Sequence, residues 1–109
     1  MTNTITIDQL RDLVDGRSAV LLEVLPPEHF EREHLPGARN LPLDAVDSLA
    51  ASLVADQTQA IVTYCSNEAC TNSGIAATRL AELGYTDVRK FPGGKEEWAN
   101  AGLPLERGA

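Results

Sequence analysis

Apolar and polar positions along the chain switch repeatedly between a period of two and a period near three and a half. Residues 4–7, Thr-Ile-Thr-Ile, read as a short β-branched strand. Asp8 then caps a helix to about Asp15, with Leu10, Leu13 and Val14 on one face and Gly16 ending it. Residues 19–24, AVLLEV, form a nearly continuous apolar run of strand length, which suits a parallel strand covered on both faces. Pro26-Pro27 opens a short helix, because proline lacks only an N–H that the first turn leaves unused. After the turn Leu35-Pro36-Gly37-Ala38, residues 38–41 make a brief strand.

The second half repeats the scheme. Asp44 or Asp47 starts a helix to about Ala55 that buries Val46, Leu49, Leu53 and Val54. Residues 60–64, AIVTY, are the strongest strand signal in the chain. Residues 73–83 carry Ala76, Ala77, Leu80 and Leu83 at helical spacing, and Gly84 stops that helix. A strand at 87–91, the pair Gly93-Gly94 and a helix from Lys95 to about Ala101 complete the pattern. Such alternation predicts an α/β domain with a mostly parallel central sheet.

Composition narrows the function classes. A chain of 109 residues is the usual size of one domain, so residues 1–109 are read as a single domain. Its net charge of −7 argues against nucleic acid or an anionic membrane as partner, since both need concentrated positive charge. No apolar run has the length to span a bilayer, and the N-terminal MTNTITIDQL lacks a secretory pattern, so a cytoplasmic location is expected. Two cysteines in a reducing compartment are reactive or inert more often than they form a structural disulfide. Two Cys, with His29 and His34 elsewhere, do not have zinc-site spacing, and no metal is expected.

Both cysteines lie in Tyr64–Gly74, YCSNEACTNSG, between the best strand and a helix. Ligand sites of open α/β sheets form outside the C-terminal ends of strands, where Cys65 stands. The free N–H groups and dipole of the following helix favour an anion, so a thiolate there is stabilised and its pKa is expected to fall. The loop amides offer a concavity for an oxyanion. Cys65 is therefore the candidate nucleophile.

The stretches LLEV, EHFEREHLPGARNLPL, IVTYC, SGIAATRLAELGYTDVRKFPGGKEEW and AGLPLE resemble the single-domain rhodanese family over nearly the whole chain. The resemblance implies a five-stranded, mostly parallel sheet with helices on both faces. It also implies a sulfurtransferase, with a nucleophilic cysteine at Cys65 that takes a sulfane sulfur as a persulfide. The partners implied are a small sulfur donor and a thiol acceptor, which includes the case of a protein acceptor. No metal or organic cofactor is needed. The substrate-binding loop spans Ser66, Asn67, Glu68, Ala69, Cys70, Thr71, Asn72 and Ser73.

That loop departs from the family pattern. With Ser73 at the family's serine position, the loop is two residues longer and Asn72 stands where an arginine is usual. Without a guanidinium the loop lacks bidentate bonds to a dianion such as thiosulfate. Glu23 and Leu25 likewise replace the usual Asp and Arg. Cys70 either resolves a Cys65 persulfide, releasing sulfide, or fills the enlarged loop. Thr71, Asn72 and Ser73 either contact substrate or cap the helix, and Glu68 reads as a solvated charge. His34 organises the HLPGA turn by bonding the backbone rather than acting as a base, and His29 is a surface residue. Trp98 anchors the core beside Phe91, Gly93 and Gly94 let the backbone approach the loop, and Lys95 either faces the site as its nearest cation or, the favoured reading, is a solvated first-turn lysine. Two other functions compete. One is a non-catalytic or sulfur-relay module docking on a larger enzyme. The other is a phosphatase or arsenate reductase, which relies on an arginine six positions after the cysteine, where this chain has Thr71.

Overall fold

Each apolar run expected to pair does so, although the first is shorter than its pattern suggests. The structure, a computed structural model, describes residues 3–108; Met1, Thr2 and Ala109, the ends of the span read as one domain, lie outside the described residues. In chain order it contains β1 (Asn3–Thr4), α1 (Ile7–Gly16), β2 (Val20–Glu23), α2 (Pro27–Arg32) and β3 (Arg39–Asn40). A 3-10 turn at Leu43–Ala45 leads into α3 (Val46–Leu53), then β4 (Ile61–Tyr64), α4 (Asn72–Glu82), β5 (Val88–Phe91) and α5 (Gly94–Asn100). The sheet is parallel throughout, in the order β1-β5-β4-β2-β3.

Parallel register sorts the strand residues into two layers, because successive side chains point to opposite faces. Leu21 pairs with Val62 and Leu22 with Thr63. On one face Leu22, Val24 and Ile61 pack against Val46, Ala50, Ala76 and Leu80 of α3 and α4. On the other, Leu21, Val62, Tyr64 and Phe91 pack against Leu10 of α1 and Trp98 of α5. Trp98 is thus the core anchor expected, and its Nε1–H donates to Pro104 O at 2.8 Å. β4 is the middle strand, so the residue that follows it emerges at the centre of the sheet's C-terminal edge.

Local expectations in β1, α1 and α3 are corrected. Residues 5–7 do not extend β1: Ile5 N–H donates to Lys90 O at 3.0 Å, but Thr6 turns the chain into α1. Thr6 Oγ1 accepts from Gln9 N–H and Gln9 Oε1 accepts from Thr6 N–H, a reciprocal capping box that displaces Asp8 into the first turn. Gly16 is the last helical residue, and Arg17, with φ of 51°, takes the left-handed cap. Neither Asp44 nor Asp47 caps α3. Asp47 instead forms a bidentate pair with Arg79 of α4 at 2.7 and 2.8 Å, which holds its carboxyl below the usual range. On α3 the buried stripe runs through Val46 and Ala50, leaving Leu49 on the flank and 37% exposed.

Candidate active site

Cys65 follows β4 directly and is 1% exposed. Its Sγ donates to Cys70 O at 3.5 Å and to Ser73 Oγ at 3.7 Å. Burial pushes the thiol's pKa up, and the adjoining Cys70 side chain adds to the rise. The backbone N–H and hydroxyl of Ser73 act in the opposite direction. The lowered value expected from the helix N-terminus is therefore corrected: desolvation outweighs the Ser73 N–H and hydroxyl in this arrangement.

The loop is held at both ends. Cys65 O accepts from Lys95 N–H and Ser66 O accepts from Glu96 N–H, each at 2.9 Å, so the first amides of α5 grip the start of the loop. This contact requires Gly94. Its φ is +60°, and a Cβ there would lie 2.2 Å from Cys65 O. Inside the loop Asn67 makes a tight turn, its Oδ1 accepting from Ala69 N–H at 3.0 Å and its carbonyl from Cys70 N–H at 3.1 Å. That turn carries Cys70 back onto Cys65.

The other loop residues divide by position. Glu68, Ala69 and Thr71 are exposed, while Ser66, Asn67, Cys70 and Asn72 are half-buried. Thr71 is the N-cap of α4 but its side chain makes no capping bond. Asn72 does not cap either. Its Nδ2–H donates to Val24 O at 3.2 Å and ties the helix to the end of β2. Ser73 is buried against the sulfur, and its carbonyl accepts from Thr63 Oγ1 at 2.9 Å. Of the three helix-entry residues, only Ser73 meets the Cys65 side chain.

A second polar cluster lies on the opposite face of the sheet. Glu23 is fully buried; Oε1 accepts from Tyr64 Oη at 2.9 Å and Oε2 pairs with Lys95 Nζ at 3.1 Å. Tyr64 Oη accepts from Leu35 N–H, and Lys95 Nζ also donates to His29 O and Glu33 O. Lys95 is thus no solvated lysine. Its side chain is 16% exposed and inserted beneath α2. Burial raises the Glu23 pKa, while Lys95 and Tyr64 pull it back. Since Lys95 N–H also holds Cys65 O, one residue joins this cluster to the Cys65 loop. Sequence reading missed the cluster; the replacement at Glu23 was the one signal available. The reading of His34 as a turn organiser is met: Nδ1 lies 2.8 Å from Phe30 O and the ring stacks on Phe30.

Comparison with known proteins decides the family. The rhodanese-like domain matches residues 6–101. The chain belongs to the rhodanese-like family. It is 37% identical over 69% of its length to thiosulfate sulfurtransferase PspE of Escherichia coli, covering 70% of that protein. It is 32% identical over 98% of its length to an HTH-type transcriptional regulator of Mycobacterium tuberculosis, of whose length it spans 46%. A solved thiosulfate sulfurtransferase from Pseudomonas aeruginosa superposes with a TM-score of 0.87 at 31% identity, over 98% of this chain and 20% of that one. Within this rhodanese-like fold the enlarged loop contains no cation, but the sheet places one beside it. A Cβ on Gly74 would lie 3.4 Å from Lys90 Nζ, so the Lys90 ammonium borders the first turn of α4, which has no acidic residue. The other flank is acidic: Glu68, Glu96 and Glu97 line a cleft with Asn67 and Gly93.

Proposed function

We propose that this rhodanese-like chain, acting through residues 1–109 as one domain, is a sulfurtransferase that carries a sulfane sulfur on Cys65. The observation that supports this most is the enclosure of Cys65 Sγ by Ser73 and Cys70 at the junction of β4 and α4. The sulfurtransferase names of the relatives point the same way. The thiol first loses its proton, helped by the Ser73 N–H, and the Ser73 hydroxyl reverses from acceptor to donor towards the thiolate. The thiolate attacks the outer sulfur of a donor R–S–S⁻, a new S–S bond forms on Cys65, and R–S⁻ departs and takes up a proton. A thiol acceptor, small or on a protein, then removes the outer sulfur.

Charge around the loop favours a donor of low charge. One ammonium, Lys90, borders the first turn of α4, three carboxylates line the cleft on the other flank, and the loop itself holds no guanidinium for a bidentate bond. An organic persulfide fits this balance better than thiosulfate. The test is thiocyanate formation from cyanide with an organic persulfide, polysulfide or thiosulfate as donor. We expect the persulfide to give the highest kcat/KM. Cys65→Ser should lower the rate on the order of a thousand-fold, as loss of a nucleophile does. Retention of the rate in Cys65→Ser contradicts the proposal.

A further inference from the structure

The loop contains a second thiol that sulfur transfer to an outside acceptor does not use. Resting on the function proposed above, we propose that Cys70 is the first acceptor of that reaction. In this reading the chain reduces a sulfane sulfur to sulfide and closes a Cys65–Cys70 disulfide, which an external dithiol reopens.

Three observations carry the inference. The two residues already adjoin, since the Cys65 Sγ reaches the Cys70 carbonyl at 3.5 Å. The contact is built by the Asn67 turn, in which Asn67 accepts from both Ala69 and Cys70 N–H groups. Finally, the two sulfurs differ in access: Cys65 is buried and Cys70 half-buried. An acceptor from solution must reach a buried atom, whereas Cys70 is already there. Conversely, a reductant can approach Cys70 without entering the Cys65 pocket.

The step balances within the chain. Cys70 thiolate attacks Cys65 Sγ, the inner sulfur of the persulfide. The Sγ–S bond breaks as the Sγ–Sγ bond forms, and the outer sulfur leaves as HS⁻. Two electrons pass from the thiols to the sulfane sulfur. A dithiol of the thioredoxin class then returns them, becoming a disulfide itself while both cysteines regain protons. Closing the bond needs the sulfurs to approach to about 2.05 Å, a motion confined to a loop whose ends are fixed by α5 amides and by the Asn72–Val24 bond.

The experiment loads reduced protein with one equivalent of an organic persulfide, desalts it without thiols, and measures released sulfide together with a non-reducing peptide map. Wild type should release close to one sulfide per loaded chain and yield a Cys65–Cys70 linked peptide. Cys70→Ser and Cys70→Ala should keep the sulfur on Cys65 and release sulfide at least ten-fold more slowly, a difference well above assay noise. A wild-type chain that keeps its persulfide without forming the link overturns the proposal, and so does equal sulfide release from the variants. If neither Cys70 variant gains sulfur on Cys65, the sulfurtransferase reading itself has failed; loading without linkage removes only the role of Cys70.

Discussion

Tyr64 and Cys65 are neighbours in sequence, yet they end in opposite kinds of environment. Tyr64 points to the α1/α5 face, where its hydroxyl donates to buried Glu23 and accepts from Leu35 N–H, and Lys95 completes the charge balance. Cys65 follows it out of the sheet into a loop, where its sulfur makes long contacts, at 3.5 Å to Cys70 O and 3.7 Å to Ser73 Oγ. The first cluster is saturated and specifies one geometry. The second is buried at its sulfur but loosely bonded, which leaves the sulfur room to change partners. The lesson is one of division: a satisfied polar cluster fixes the frame, and Lys95, whose N–H holds Cys65 O, transmits that rigidity to a site whose own bonds are weak.

The contrast can be broken most severely from the saturated side. Lys95→Met leaves the Glu23 carboxylate buried without its cation and removes a donor from two carbonyls. A loss of about 3–5 kcal/mol in denaturant unfolding is expected, the usual cost of removing one partner of a buried pair. The double variant Lys95→Met with Glu23→Gln should recover part of that loss; a Lys95→Met chain as stable as wild type shows that the pair is unimportant. Gly94→Ala strikes the link between the two regions. A non-glycine residue in the left-handed region costs roughly 1–2 kcal/mol. Its Cβ also displaces Cys65 O and Ser66, at about 1 kcal/mol for each α5-to-loop bond lost. We expect roughly 3 kcal/mol of destabilisation together with a fall in sulfur transfer, and unchanged activity would mean that the loop does not depend on this grip.

The smallest effect is a dependence on pH. Burial raises the Glu23 pKa above its ordinary 4.5, so the folded state binds that proton more tightly than the unfolded chain. The stability this group contributes is full below 4.5 and is lost as pH rises through the folded value. Compared with Glu23→Gln, wild type should therefore lose stability as pH is raised from below 4.5 towards neutrality. Denaturant midpoints across that range check the sign, and a difference that grows in wild type's favour with pH contradicts it.

Much of this was legible from local pattern. The parallel α/β order, the buried β4 and the position of Cys65 at its end follow from apolar runs and turn residues alone. The Thr6–Gln9 capping box was also legible, because T-x-x-Q is its signature, but the alternation of residues 4–7 concealed it. What local pattern cannot show is depth and register. Lys95 and Glu23 are 72 positions apart, and only the packing of α5 over the end of β2 makes them partners. Lys90 comes to the first turn of α4 because β5 lies beside β4, not through any loop motif. The rise in the Cys65 pKa has the same origin. A helix N-terminus can be read in a sequence, whereas the burial that opposes it depends on how α4 and the loop close over the sulfur.

In the proposed reaction Cys65 Sγ is the atom that receives sulfur. This is tested most directly by mass spectrometry on the Cys70→Ser chain, in which the sulfur is expected to stay where it is first placed. After exposure to an organic persulfide, the peptide containing Cys65 should gain the mass of one sulfur atom, lose it on reduction, and gain nothing once Cys65→Ser is added. Sulfur found elsewhere, or no gain with persulfide, polysulfide or thiosulfate, contradicts the account.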